Sequence, residues 1–339
     1  MQDNRLKKNQ FFIITALQLI NAVEYIHQSG KQDEYNELIL VTIGHKVKSE
    51  LMTIIDIYKW SAVIHLFPEW MLKIKYFSVR TPIMNIWAKY RLDRIFSPQS
   101  VLIFGHERNL YCRYIAKKSK TSIQVLLDDG AGSLAFNKDA PVHISGKVSV
   151  ALEKYFGVKD YLVHPHYFFT AYKEKLINTD MGKINLIMND FSFLKDLARH
   201  RKIGKSVYFI GDPLVERNVI SEDAYFRQIE EIKAIYGSNL FYVPRSTEDQ
   251  QKVERISKIV PIIRPGVPFE VFLVSNEILP FKLIGYHTSV LFNTHKIFGN
   301  AIELYHIKLK EFKREIYKEI LPKVYKELDL ISKEWPAAV

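Results

Sequence analysis

The chain has 339 residues, of which 47% are apolar and 25% are charged, a composition typical of a globular protein long enough for two domains. No apolar run reaches the length of about 18 residues that spans a bilayer, which argues against a transmembrane segment. The formal net charge of +11 indicates an anionic partner, and composition leaves open whether it is nucleic acid, a membrane surface or a phosphate-bearing ligand.

The N-terminus and the cysteine content bear on location and partners. Met1–Gln10 is polar and basic, and no small-residue cleavage site follows the apolar run Phe11–Ile20, so we expect a cytoplasmic protein. The single cysteine, Cys112, cannot form an intrachain disulfide, which fits a reducing compartment. The sequence has no zinc-finger spacing, no aromatic RNA-binding strand and no basic arm, so no nucleic-acid partner is expected.

Short apolar strands alternate with amphipathic helices along the first half of the chain. This alternation predicts parallel βαβ units. The predicted strands are Phe11–Thr15, Leu38–Ile43, Ser100–Phe104 and Ile123–Leu127, with a helix at Ala16–Gln28. A break is predicted at Tyr161–Phe169 and in the polar segment Lys173–Lys183.

The alternation restarts in the second half, with a strand at Ser206–Ile210, a helix at Glu222–Ile235 and a strand at Leu240–Val243. The tail Ile307–Ser332 has the pattern of one long amphipathic helix, which Pro322 should kink or divide. We therefore predict an N-terminal domain at 1–170, a C-terminal domain at 171–306 and a helical tail at 307–339. The tail is expected to pack on the domains or to lie on a membrane surface.

Two adjacent carboxylates, Asp128 and Asp129, follow the apolar run Val125–Leu127 and precede Gly130. Such a run predicts a buried strand that ends in a loop, and loops at strand ends are where functional groups collect. An ordinary Asp-Gly turn is the alternative, because these residues also form turns without any function.

Four features of the second half lie where predicted elements begin or end, as ligand-binding groups of open α/β sheets do. They are Gly211-Asp212-Pro213 after one strand, Pro244-Arg245 after the next, Glu270 before the apolar segment Val271–Val274, and His287-Thr288-Ser289 before another apolar run. Arg offers a fork of donors suited to phosphate or carboxylate. A helix that begins at the hydroxyl pair would add an anion-binding N-terminus.

Each of these features also has an ordinary structural explanation. Thr288 or Ser289 could be a helix N-cap, Glu270 a solvated turn residue, and Arg245 a surface cation. Asp212 before proline is a common turn. The set as a whole favours a site, because two facing Rossmann-like halves would bring all of these groups to one cleft.

The ordered set resembles the bacterial sialyltransferases of glycosyltransferase family 52 and the polysialyltransferase-like proteins. It comprises Asp128-Asp129-Gly130, Gly211-Asp212-Pro213, Val243-Pro244-Arg245, Phe269-Glu270 and Thr288-Ser289. The opening Thr15–Glu24 is similar to the start of those enzymes. The resemblance runs over about residues 11 to 306 and implies an α/β protein of the GT-B fold, with two facing Rossmann-like domains.

The resemblance also implies an activity and residue roles. The activity is inverting transfer of a nonulosonic acid, usually sialic acid, from its CMP conjugate to a sugar hydroxyl, without a metal. Asp129 would be the general base with Asp128 as its neighbour, and Asp212 is a second candidate. Glu270 would hold the cytidine ribose, and Thr288 with Ser289 the donor phosphate or carboxylate.

The strand exit at Val243-Pro244-Arg245 departs from the family, which carries His-Pro there. Arg245 can stabilise phosphate charge but cannot donate a proton at neutral pH. His164-Pro165 is the only such pair in this chain and lies before the second half, so we interpret it as a linker. His287 is the better substitute acid, although a lone histidine in a turn is more often structural. A different CMP-sugar, a changed mechanism and an inactive relative all stay open.

The expected partners are a CMP-nonulosonate donor and a glycan acceptor, such as a surface glycan, a capsule or a lipooligosaccharide. The inner membrane surface and a second copy of the chain are further candidate partners. The alternatives are a non-catalytic nucleotide- or glycan-binding protein and a glycosyltransferase that uses another nucleotide sugar. The aromatic segment Leu51–Phe77 could be an acceptor wall or ordinary core.

Overall fold

The computed structural model describes residues 8–42, 45–74, 77–96, 100–119, 123–129, 147–176, 182–245, 247–309 and 316–336. The chain divides into a first unit, Met1–Phe193, and a second unit, Leu194–Val339. Gly130 of the predicted Asp-Gly turn and Phe312 of the predicted tail helix lie outside the described residues, as does Ser246, the residue after Arg245.

The first unit is built on a seven-stranded sheet in which every described strand pairing is parallel. Its strands are β1 (Lys8–Ile13), β2 (Tyr35–Leu40), β3 (Ala62–His65), β4 (Val101–Phe104), β5 (Gln124–Leu127), β6 (Tyr167–Thr170) and β7 (Asn185–Met188). Their spatial order is β3-β2-β1-β4-β5-β6-β7. The order reverses between β1 and β4, and open α/β sheets bind ligands beyond the carboxyl ends of their strands at such a point.

Helices connect these strands, as parallel pairing requires. They are α1 (Ala16–Gln28), α2 (His45–Ile54), α3 (Glu69–Leu72), α4 (Phe77–Ile95), α5 (Leu110–Lys118), α6 (Lys147–Phe156) and α7 (Lys173–Leu176). The next helix, α8 (Ser192–Ala198), follows β7 and spans the boundary between the units. The predicted bounds of α1 are confirmed. Thr15 caps this helix by accepting from Gln18 N, and Gln18 Oε1 accepts from Thr15 N in return, so a capping box fixes where the helix begins.

The second unit has its own parallel five-stranded sheet and a short two-stranded one. The strands are β8 (Lys202–Ile203), β9 (Val207–Ile210), β10 (Leu240–Val243), β11 (Ile278–Leu279), β12 (Lys282–Gly285), β13 (Glu303–His306) and β14 (Lys333–Glu334). The larger sheet has the order β10-β9-β12-β13-β14, and β11 pairs with β8. This order reverses between β9 and β12, the second ligand-binding position that the topology provides.

The helices described after α8 are α9 (Glu222–Tyr236), α10 (Gln250–Ser257), α11 (Phe269–Ser275), α12 (Ser289–Phe298) and α13 (Ile316–Leu328). Ser221 caps α9 by accepting from Ala224 N, and Gly237 ends the helix at a φ of 55°. The predicted strand at Leu240–Val243 is confirmed. Its Tyr242 packs with Phe209, Tyr225 and Trp335 in a separate hydrophobic core.

The structure moves the predicted domain boundary. Residues 161–183 were predicted to contain a break, but Tyr167–Thr170 is β6, and β7 follows it in the first sheet. The first unit therefore extends to Phe193 instead of ending at residue 170. The strand β6 is largely buried between β5 and β7, whereas β7 is the partly exposed edge strand of the sheet.

The tail is shorter as a helix than Ile307–Ser332. Ile307 extends the β13 ladder by donating its N–H to Gly285 O at 2.8 Å. The helix α13 ends at Leu328 and runs through Pro322 without dividing. The chain then forms β14, and Trp335 is buried in the second core, so this end of the tail belongs to the second unit.

Candidate functional site

Three loops of the second unit leave the carboxyl ends of adjacent strands. Gly211-Asp212-Pro213 follows β9, Pro244-Arg245 follows β10, and Tyr286-His287-Thr288 follows β12. Because β9 lies between β10 and β12, these loops are neighbours at the reversal point of the sheet. The predicted strand-end positions of Gly211-Asp212-Pro213 and Pro244-Arg245 are therefore confirmed. Thr288 precedes a helix, as one of the sequence-based alternatives expected, and the strand β12 before it was not predicted.

Arg245 and Thr288 meet at this edge of the sheet. A guanidinium nitrogen of Arg245 donates to Thr288 Oγ1, which also accepts from Val290 N at 3.3 Å. Thr288 is thus both the N-cap of α12 and a contact of the arginine, and Ser289 is the first residue of that helix. The helix N-terminus and the guanidinium place two sources of positive potential together, an arrangement suited to an anion.

Asp212 lies beside these groups and is buried, with 2% of its surface exposed. Its backbone N–H donates to Tyr225 Oη at 3.1 Å. Its Oδ1 has no hydrogen-bond partner among the residues that the structure describes. Buried carboxylate oxygens are normally paired, so this atom is available to a ligand hydroxyl or a water.

His287 is half-buried, and its pKa is lowered from 6.5, first because burial disfavours the charged imidazolium. The negative charge of Asp212 opposes this shift, whereas Arg245 and Arg217 add to it. The imidazole is therefore mainly neutral at pH 7. It can donate a hydrogen bond in that form, but serving as a proton donor would require a bound anion to raise its pKa.

Glu270 lies in the first turn of α11 and is buried. Its Oε1 accepts from Asn293 Nδ2 of α12 at 2.8 Å, so the carboxylate is tied to the helix that Thr288 caps. Its hydrogen bonds among the described residues do not include Arg245, Thr288 or Asp212. The structure thus joins Glu270 to the site through α12.

Gly211 and Pro244 shape the two neighbouring strand exits. Gly211 N donates to Val243 O at 2.9 Å, which joins the ends of β9 and β10. A Cβ atom on Gly211 would lie 2.2 Å from Glu248 Oε2 and 2.5 Å from Tyr242 Oη. Only glycine fits there, so its role is to permit this close approach.

The first unit carries the other predicted carboxylates, directly after β5. Asp128 is buried, its Oδ2 accepts from Ala171 N at 2.5 Å, and its carbonyl oxygen accepts from Asn21 Nδ2 at 3.0 Å. Asp128 therefore links β5 to the β6 exit and to α1. Asp129 is exposed, and its Oδ1 accepts from Gln18 Nε2 at 2.9 Å and from Thr15 Oγ1 at 3.4 Å.

Gln18 is the residue of the first unit that the sequence analysis missed. It is fully buried, and its Oε1 accepts from Ile14 N at 2.9 Å while its amide holds Asp129. Gly105, at the end of β4, makes room for it, because a Cβ there would lie 2.2 Å from Gln18 Cδ. The Thr15-x-x-Gln18 capping box was the available sequence signal.

The His164-Pro165 pair, metal binding and membrane spans were also considered in the sequence-based predictions. His164 is exposed in the loop before β6, so His164-Pro165 belongs to the first unit and not to a linker between the units. Among the described residues, no cluster of three or more His, Cys, Asp or Glu side chains could hold a metal ion. None of the helices in the described ranges combines the length and the hydropathy needed to cross a bilayer.

Known proteins resemble this chain in structure but not in sequence. Neither a family model nor a curated protein matches by sequence. Glycyrrhiza uralensis UGT73P12, complexed with glycyrrhetinic acid 3-O-monoglucuronide, is 10% identical with a TM-score of 0.54, over 98% of this chain and 82% of that one. Methanocaldococcus jannaschii UDP-GlcNAc 2-epimerase, in complex with UDP-GlcNAc and UDP, is 12% identical with a TM-score of 0.53, over 96% and 92%.

A third similar structure is TcCGT1 in complex with UDP, at 12% identity and a TM-score of 0.50, over 98% of this chain and 86% of that one. At these identities the likeness concerns the fold alone. The chain has the GT-B fold, with two Rossmann-like units, and this part of the sequence-based prediction is confirmed.

Proposed function

We propose that this chain is an inverting glycosyltransferase that moves a nonulosonic acid from its CMP conjugate to a sugar hydroxyl of a surface glycan or lipooligosaccharide. The observation that carries the proposal is the contact between Arg245 and Thr288 at the N-terminus of α12, beside buried Asp212. It provides anion-binding groups at the reversal point of a Rossmann-like sheet, where a nucleotide phosphate would bind.

The second unit would bind the donor. Arg245, Thr288 and Ser289 would hold the phosphate, and Glu270 would hold the ribose hydroxyls, as the family resemblance implies. Departure of CMP develops negative charge on the phosphate, and preplaced guanidinium and hydroxyl donors stabilise that charge. His287 would contribute a hydrogen bond. No step of this reaction calls for a metal.

The first unit would supply the general base. Asp129 suits this role better than Asp128, because Asp129 is exposed and oriented by Gln18, whereas Asp128 is buried with an oxygen bonded to Ala171 N. An oriented carboxylate can accept the proton of an attacking hydroxyl. Asp212 is the second candidate, because its Oδ1 has no protein partner among the described residues.

A glycosyltransferase that uses another nucleotide sugar is the second candidate function. Two structures with the same fold are complexes with UDP, and one of them also contains UDP-GlcNAc. The arginine at the position where the resembled family carries histidine leaves open a different donor, a changed mechanism and an inactive relative. A binding protein without turnover is the third candidate, and it would bind its ligand at the same anion site.

A ligand panel separates the candidate donors. Thermal unfolding of the full chain would be followed with CMP, UDP, GDP and ADP, since a ligand at about a hundred times its Kd adds roughly 2.7 kcal/mol to the free energy of unfolding. We expect CMP to stabilise the protein most. A preference for UDP would replace the proposed donor with a UDP-sugar.

Turnover decides between an enzyme and a binding protein. CMP release would be measured with CMP-sialic acid and a galactoside acceptor. We expect release that depends on the acceptor and falls in Asp129→Ala and Glu270→Ala. Binding of CMP without any release would support the non-catalytic alternative, and unchanged release in both variants would contradict the assigned roles.

A further inference from the structure

A buried ion pair lies next to the Arg245 loop. The side chain of Glu248 is 0% exposed and that of Lys252 is 3% exposed, and their charged groups are 2.7 Å apart. Lys252 also contacts Glu216 at 3.0 Å and Asp212 O at 3.4 Å. Burying two charges is costly unless their remaining hydrogen-bonding capacity is used. The role of the ion pair therefore depends on the other hydrogen bonds that Glu248 accepts.

Glu248 holds the two strand exits that carry the candidate anion site. Its Oε2 accepts from Arg245 N at 2.7 Å, and its Oε1 accepts from Tyr242 Oη. Tyr242 Oη pairs with Tyr225 Oη at 2.8 Å, and Tyr225 Oη accepts from Asp212 N. One carboxylate thus contacts the backbone of Arg245 directly and reaches Asp212 through two tyrosines.

Gly211 and Lys252 both lie against this carboxylate. A side chain on Gly211 would collide with Glu248 Oε2, and Lys252 Nζ lies over the Tyr225 ring, at 4.5 Å from its centroid. Since Glu248 and Arg245 are three residues apart, the bond to Arg245 N closes the turn after β10. The direction in which the Arg245 side chain leaves the backbone depends on this turn.

We propose that Glu248 is a positioning residue that sets the Arg245 guanidinium against Thr288 and thereby preorganises the anion site. The inference rests on the proposed function and deepens it by naming a residue that acts through Arg245. A purely structural Glu248 would contribute to stability but leave nucleotide affinity unchanged in any variant that folds.

The test compares Glu248→Gln with Tyr242→Phe in the full chain. The amide of Glu248→Gln cannot accept from Arg245 N, Tyr242 and Lys252 at once, because one acceptor oxygen has become a donor. Tyr242→Phe removes the bond to Oε1 and leaves the bond from Arg245 N to Oε2 intact. Calorimetry would give the Kd for CMP, and thermal unfolding the stability of each variant.

We expect both substitutions to lower Tm, and only Glu248→Gln to raise the Kd for CMP, by about tenfold, the loss of one well-placed ionic contact. In the Arg245→Gln background, Glu248→Gln should have no further effect on Kd, because the group that it positions is already gone. Should Glu248→Gln not fold, Glu248→Gln combined with Lys252→Met removes the unpaired ammonium and serves the same comparison.

Three results would overturn the inference: wild-type affinity in Glu248→Gln, an equal rise in Kd for Tyr242→Phe, or additive effects of Glu248→Gln and Arg245→Gln. The proposed function fails in a different way. Wild-type protein that binds CMP no better than Arg245→Gln does would overturn the donor site and the positioning role together, whereas tight wild-type binding unchanged by Glu248→Gln would overturn the positioning role alone.

Discussion

The two Rossmann-like units carry opposite chemistry at the carboxyl ends of their strands. At the β5 exit of the first unit, an exposed carboxylate, Asp129, is held by a neutral amide and a hydroxyl, from Gln18 and Thr15. At the β9, β10 and β12 exits of the second unit, Arg245 meets the N-terminus of α12. Local side chains on a shared scaffold therefore decide what each sheet edge can bind, and the net charge of +11 does not.

The comparison assigns different tasks to the two edges. A carboxylate oriented by neutral donors is suited to accepting a proton, and a guanidinium at a helix N-terminus is suited to holding a phosphate. If the assignment is right, substitutions in the first unit should change turnover, and substitutions in the second should change nucleotide affinity. The following predictions test that division.

Asp129→Asn should have the largest effect. Loss of a general base is expected to lower kcat by roughly 10²- to 10⁴-fold, with the Kd for CMP unchanged. Asp190→Asn is the matched control, because Asp190 is an exposed aspartate of the same unit whose Oδ1 accepts from Ser192 N at 2.9 Å. Steady-state kinetics would measure both variants. The division between the units is contradicted if Asp212→Asn abolishes turnover while Asp129→Asn retains it.

Arg245→Gln should raise the Kd for CMP by roughly 10- to 100-fold, because a hydrogen bond to a charged group is lost. Arg264→Gln is the control, since Arg264 is exposed in the same unit and donates to Gln250 Oε1 at 3.3 Å. Calorimetric titration measures both. Equal affinities of the two variants for CMP would remove Arg245 from the donor site.

Gly105→Ala should lower the free energy of unfolding by about 1–3 kcal/mol, the usual cost of overpacking. Its Cβ would displace buried Gln18, so kcat should fall as well. Gly285→Ala is milder, because its Cβ would lie 3.2 Å from Thr288 Cγ2. Urea unfolding measures the difference. Equal losses of stability in Gly105→Ala and Gly285→Ala would show that Gln18 can move without cost.

The pH dependence of stability should show the smallest effect. Burial lowers the pKa of His287, so the unfolded chain binds a proton at higher pH than the folded chain does. The free energy of unfolding should therefore fall as pH decreases through about 6.5 and towards the folded pKa. His287→Gln should make this decrease shallower in urea titrations at pH 7 and 5.5. Parallel decreases in both proteins would contradict the prediction.

Capping residues and short apolar runs in the sequence correctly predicted the helices and strands that depend on them. The capping box at Thr15 and Gln18 gives α1 its predicted start, and the apolar run Leu240–Val243 is β10 as expected. The turn residues that follow β10 lie at its carboxyl end because the apolar run that forms the strand stops there. Arg245 and Thr288 were predicted as separate members of one site. The structure places them in contact, and their role in binding a ligand stays a prediction.

Other features depend on residues far apart in the chain. Asp129 and Gln18 are separated by 111 positions, and their bond exists only because β1, β4 and β5 are adjacent in the sheet. The cleft predicted between the two halves stays a prediction. Glu248 had no sequence signal, because its role arises from burial beside Lys252 and Gly211.

The sequence by itself determined the class of fold, the alternation of strands and helices, and the strand-end residues, because hydrophobic periodicity and capping act over a few residues. Only the tertiary structure decided that Tyr167–Thr170 and Asn185–Met188 join the first sheet, that the tail returns as β14, and which groups orient Asp129 and Arg245. These outcomes depend on long-range pairing and burial, which local patterns do not encode.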